Sequence, residues 1–131
     1  MRFPDWQIRL QKCIQDRSAI PFSWGAQDCG LFAADCVEAI SGRDPAHGLR
    51  STYSDARGAA KILKNGLRQI ASERFGQEIS PMMAQPGDVG LLPNDGRECL
   101  AIWGGSAWHA PTDNGLAAYP LEFAITAWRF E

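Results

Sequence analysis

The stretch PFSWGAQDCGLFAADC, Pro21–Cys36, decides how this chain is read. Trp24-Gly25 has the character of a turn. Asp28 is a good helix N-cap, because its carboxylate can accept from a backbone N–H that the first helical turn leaves unpaired. Cys29 then falls at the first helical position. The helix CGLFAADCVEAIS runs to Gly42, a residue suited to ending it. Leu31, Phe32, Ala33, Cys36, Val37, Ala39 and Ile40 surround much of its cylinder, and a helix apolar on most sides is central and buried. Cys29 is therefore either a nucleophile at the head of a buried helix or a small residue packed there.

The chemistry of sulfur frames that choice. A thiolate attacks carbonyl carbon, whereas a thiol hardly does. At a helix N-terminus the free N–H groups and the macrodipole favour the thiolate. The same N–H groups can hold a tetrahedral oxyanion. Cys36, two turns inside the helix, has neither advantage. Against this, the carboxylate of Asp28 next door repels a second negative charge. A nucleophilic cysteine also needs a base, and the chain has two histidines. His47 lies in the loop DPAHG, where a histidine is ordinarily solvated. His109 lies in SAWHAP, on an expected strand.

Outward from this stretch, PDWQIRLQKCIQDR places Trp6, Leu10, Cys13 and Ile14 on one helical face, which assigns Cys13 to the core. This helix should end before Ile20-Pro21. After the loop RDPAHGLRSTY, Ser54 is expected to cap a third helix, DARGAAKILKN, ended by Gly66. Residues 67–76 are expected to form a short fourth helix. Beyond Pro81 the texture changes. DVGLL, CLAIW, SAWHA, GLAAY and TAWRF are short, apolar and separated by turn residues such as Asn94-Asp95-Gly96, Gly104-Gly105 and Asp113-Asn114-Gly115. Helices first and an antiparallel sheet second make an α+β fold, expected as a single domain over 1–131.

Composition narrows the function. A net charge of −2, with no basic run, argues against nucleic acid as a partner. No apolar run approaches the ~18 residues needed to span a bilayer. The N-terminus has no signal-peptide apolar region, so synthesis in a bacterial cytoplasm without standard secretion is expected. The four cysteines fit no zinc spacing. Cys29 and Cys36 stand about 10 Å apart along their helix, too far for a disulfide. Free thiols that act as small buried hydrophobes are the default. No cofactor fingerprint occurs, neither a Gly-rich phosphate loop nor H-E-x-x-H.

Two motifs carry a resemblance. PFSWG-x-x-DCGLF resembles the active-site entry of the NlpC-like cell-wall peptidases, papain-fold cysteine enzymes that cut peptidoglycan stem peptides. AQPGDVGLL, Ala84–Leu92, resembles the strand that opens the sheet of that family. The resemblance implies a papain-like NlpC-type fold, N-terminal helices packed on a C-terminal antiparallel sheet. It implies Cys29 as nucleophile, and Asp28, with Trp24 beside it, as binding the substrate. More closely, F-x-WG-x-x-DC, GRDP…R…Y, the GDV strand and a C-terminal AWRF together resemble a compact branch of this fold found in bacteriophages and prophages. That branch implies a virion location, tail-tip or baseplate partners, and action at the cell wall on peptidoglycan peptides.

One departure bears on activity. The family histidine that serves as base opens the strand here written CLAIW, so Cys99 stands in its place. His109 matches the residue that orients the base. Residues 99, 101 and 103 share one strand face. A Gly104–Ser106 loop would put His109 opposite Ala101, on the Cys99 face, where it could serve Cys29 as a displaced base. A Gly104-Gly105 loop would put it opposite Leu100, on the other face. Three readings follow. The first is a Cys29–His109 stem-peptide hydrolase, weakened or inactive through the missing base. The second is an inactive structural part of a phage tail tip or baseplate. The third and weakest is a thiol metal site of Cys29, Cys99 and His109, which no local ligand spacing supports.

Overall fold

A computed structural model describes residues 1–131. Four helices come first: α1 (Trp6–Arg17), α2 (Cys29–Ser41), α3 (Ala56–Ile62) and α4 (Leu67–Arg74). Six strands follow: β1 (Gln77–Ile79), β2 (Val89–Asn94), β3 (Arg97–Trp103), β4 (Trp108–Thr112), β5 (Gly115–Tyr119) and β6 (Thr126–Arg129). They form one antiparallel sheet in the order β1-β6-β2-β3-β4-β5. The architecture is the α+β arrangement expected from the sequence.

Helix α2 is the centre of the molecule, as its all-round apolar surface requires. Leu31, Phe32, Ala33, Ala34, Cys36, Val37 and Ile40 are all buried. One side takes Leu10 and Ile14 of α1. Another faces Val89, Leu91, Leu100, Ile102 and Trp128 of the sheet. Each large aliphatic or aromatic side chain fully buried in this way contributes about 1.5–3 kcal/mol. The opposite face of the sheet carries a smaller cluster of Leu92, Ala101, Trp103, Trp108, Ala110 and Ala127. Two short 3-10 turns, Pro81–Met83 and Leu121–Phe123, lie in the connections flanking that side, and Leu121, Ala84 and Ala124 pack against the cluster.

Several local expectations are corrected. The cap of α3 is Asp55, whose carboxylate accepts from Gly58 N–H, and not Ser54. Strand β1, with only three residues, has no periodicity of its own and exists because it pairs with β6. The β3–β4 connection is neither of the two loops that Gly104-Gly105 suggested. Trp103 pairs with Trp108, so the loop is Gly104–Ala107 and His109 lies opposite Ile102. A ring pair on the far face, Trp103 against Trp108 at 5.1 Å, fixes that register.

The remaining motifs are structural joints. Asp88 of the PGD motif is fully buried and held by Arg129 of AWRF, Nη2 to Oδ2 at 2.8 Å, with Gln85 N–H donating to the same oxygen. This pair ties the start of β2 to the end of β6. In GRDP…R…Y, Asp44 accepts from Ala46 N–H and from two nitrogens of Arg50. Arg50 also reaches Asp35 of α2 at 2.7 Å, and Arg17 of α1 pairs with the other oxygen of Asp35. The loop after α2 is thus strapped back onto it.

Candidate active site

Asp28 builds the head of α2. Its Oδ1 accepts from Leu31 N–H at 2.9 Å, the bond of an N-cap. Its Oδ2 accepts from Gly25 N–H at 3.0 Å and from the Tyr53 hydroxyl at 2.5 Å. Both carboxylate oxygens are thereby used within the fold, and the residue is buried. Gly25 is required there: its φ is +80°, and a Cβ would stand 2.3 Å from the Tyr53 carbonyl oxygen. The Trp-Gly pair of the motif is therefore the close crossing of two chain segments. Trp24 projects beside this crossing, 36% exposed, with its ring edge-on to Phe22 at 4.7 Å.

Cys29 follows the cap, as the sequence predicts. Burial pushes its thiol up to about 12. The nearby Cys99 and Asp28 add to this, and the backbone N–H groups of Leu100 and Gly30 oppose it. Desolvation outweighs the helix terminus here, because the sulfur sits against β3 and no cation faces it. The Tyr53 hydroxyl is likewise driven upward, by burial and by the Asp28 carboxylate that it donates to. At neutral pH Cys29 is a thiol beside one buried carboxylate.

On the strand side of the site Cys99 and His109 lie on opposite faces of the sheet, as the shorter-loop register implied, but it is the His109 face that meets the helices. Leu100 and Ile102 face the helices, and Cys99, Ala101 and Trp103 face the far cluster. Cys99 thus occupies the sequence position of a base but looks away from Cys29. Burial raises its thiol to about 11. The three-ligand metal reading fails for the same reason. His109, paired with Ile102, is on the helix side. Its ring turns toward Gly104 and α1. A Cβ on Gly104 would lie 2.7 Å from His109 Nε2 and 3.4 Å from Ile14 Cδ1. Burial holds the imidazole below its ordinary value, favouring the neutral form, and no carboxylate orients it. The structure brings Cys29, Asp28 and Trp24 together and leaves His109 elsewhere along the sheet.

Tyr53 and Leu100 were not singled out as site residues by the sequence reading. Tyr53 stood in the GRDP…R…Y motif without a role. Leu100 contributes through its backbone N–H, which no side-chain pattern reveals. Between α2, the 43–55 loop, α3 and α4 lies a narrow, mainly apolar cavity of ≈ 70 Å³. Cys29, Tyr53, Ala46, Leu49, Leu67 and Phe75 are among its walls. It has room for a few water-sized groups or a short alkyl chain.

The comparisons agree with this architecture. The NlpC/p60 domain of the peptidoglycan hydrolase SagA superposes with a TM-score of 0.58 at 17% identity, over 92% of this chain and 96% of that one. At that identity the likeness establishes the fold. A search of the curated proteins gives no match. The family described as "Domain of unknown function (DUF6950)" matches residues 1–130. The chain, with its NlpC/p60-type fold and its Asp-Cys entry to the central helix, belongs to this DUF6950 family.

Proposed function

We propose that this domain is a non-hydrolytic form of the NlpC/p60 fold that serves as a structural or binding component of a bacteriophage or prophage tail tip or baseplate, acting at the cell wall. The observation that carries the non-hydrolytic part is the strand side of the site. The base position holds Cys99, which faces the far cluster, and the displaced candidate His109 turns to Gly104 and α1. General-base catalysis needs a group within hydrogen-bond reach of the nucleophile. Here the nucleophile is a half-buried thiol that desolvation keeps protonated, and the carboxylate beside it is saturated by Tyr53, Gly25 and Leu31. The tail location rests on the sequence motifs alone. No helix is long and apolar enough to cross a membrane.

A hydrolytic reading keeps one observation in its favour. The N–H groups of Leu100 and Gly30 point at the sulfur, as donors to an oxyanion would. In that reading Cys29 attacks an amide of a peptidoglycan stem peptide, and Asp28 with Trp24 receives the substrate. The two readings separate in one experiment. The purified protein is alkylated with iodoacetamide from pH 5 to 9 and read site by site by mass spectrometry, with His109→Ala alongside. The same samples are incubated with stem peptides. We expect Cys29 to stay unmodified through pH 8, with no effect of His109→Ala, and the peptides to remain intact. Fast alkylation of Cys29 at neutral pH, or cleavage that Cys29→Ala abolishes, would overturn the proposal.

A further inference from the structure

A second cysteine pair lies away from the Asp-Cys entry. Cys13 of α1 and Cys36 of α2 meet across the helix interface, with the Cys36 S–H donating to Cys13 Sγ at 3.3 Å. The sequence assigned both to packing. Their residues lie 23 apart, so nothing in their spacing announced the contact. Cys36 is fully buried, whereas Cys13 retains surface exposure. Cys13 opens onto a polar surface depression that holds Arg9, Lys12, Asp16, Arg17 and Glu38.

From this geometry we infer that Cys13 and Cys36 form a dithiol–disulfide site, oxidised by a low-molecular-weight disulfide and serving in its oxidised form to brace α1 against the central helix. The roles divide by exposure. Cys13 is reachable and attacks; Cys36 is shielded and resolves. The electrostatics run the same way. The bond from Cys36 lowers the Cys13 thiol, with Arg17 adding to this, while burial raises Cys36. An attacking thiol of lowered pKa beside a protonated partner is the arrangement that thiol–disulfide exchange favours.

The Cys13 thiolate attacks one sulfur of the small disulfide, forming a mixed disulfide and releasing one small thiolate. Cys36 then loses its proton and attacks the Cys13 sulfur. The protein S–S bond forms, and the second small thiolate leaves. Two protein thiols are oxidised, and one disulfide is reduced to two thiols, which carry away both protons. The sulfurs must close from 3.3 Å to about 2.05 Å.

The test uses the full chain and oxidised glutathione as the probe. Free thiols are counted after denaturation, linked peptides are mapped without reduction, and melting is compared before and after oxidation. We expect the four free cysteines to fall to two, with a Cys13–Cys36 linked peptide recovered. We expect Tm to rise by roughly 10 °C, because the bridge closes a long loop of the unfolded chain. Dithiothreitol should reverse both changes. Cys13→Ser and Cys36→Ala should each abolish the linked peptide and the rise. The inference is overturned if four thiols persist, if oxidation stops at glutathione on Cys13, or if a different pair links. A Cys13–Cys36 bridge that leaves Tm unchanged refutes the bracing role.

Discussion

Replacing Asp28 by alanine tests whether this carboxylate is part of the fold or a group kept for a substrate. Three donors lose their acceptor: Leu31 N–H, Gly25 N–H and the Tyr53 hydroxyl. Loss of an N-cap costs about 1 kcal/mol. A buried donor left without a partner costs about 1–3 kcal/mol, and the lower end applies here because Gly25 and Tyr53 are only partly buried. The sum is about 3 kcal/mol. For a chain of 131 residues this lowers Tm by about 10 °C. Asp28→Asn keeps an acceptor for the cap and should lose about half as much. Combining Asp28→Asn with Tyr53→Phe should give a coupling energy of about 1 kcal/mol, the share of that loss carried by the Tyr53 bond. Urea unfolding followed by tryptophan fluorescence supplies the free energies, and circular dichroism supplies Tm. If Asp28→Ala melts within about 2 °C of the parent, the carboxylate is not holding the helix head, and its role as a free substrate-binding group stands again.

Other expectations concern the rest of the chain. His109 is half-buried and its imidazole is held below the ordinary value, so the unfolded chain takes up its proton more readily than the folded one. Stability from this residue is therefore present above about pH 6.5 and is lost as pH falls below it; His109→Gln should narrow the gap between urea midpoints at pH 5 and pH 7.5. Arg129→Leu leaves the buried Asp88 carboxylate with only Arg2 at 3.6 Å as a cation and should cost about 3 kcal/mol in urea, with Asp88→Asn in the same chain recovering part of the loss. Gly90→Ala drives a Cβ to 2.6 Å from Cζ3 of the fully buried Trp108; it should cost about 1–3 kcal/mol and alter the near-ultraviolet circular dichroism.

The order of elements was legible because it rests on local rules. Asp28 and Gly42 bracket α2 as their chemistry predicts, and the turn at Asp95-Gly96, both with positive φ, joins β2 to β3. The apolar circumference of α2 announced a buried central helix. The motifs also announced a fold of the NlpC/p60 type, although their residues serve in ways that the motifs alone did not tell. Asp44, Arg50 and Tyr53 strap a loop to α2, and Arg129 closes on Asp88.

What the sequence by itself determined is the four helices, five of the six strands, the fold class and the placement of Cys29 at a capped helix start. Each follows from residues near one another in the chain. The tertiary structure alone decided what Cys29 is chemically. The helix terminus favours a thiolate, but contact with β3 removes water from the sulfur, and desolvation is the larger effect. The face shown by Cys99 and the direction of His109 were likewise tertiary matters. The first depends on how β3 sits in the sheet against the helices, and the second on the length of one hairpin loop, which the tryptophan pair across β3 and β4 sets and which two adjacent glycines left open. The meeting of Cys13 with Cys36 came from the packing of α1 on α2, a contact between segments that no local pattern relates.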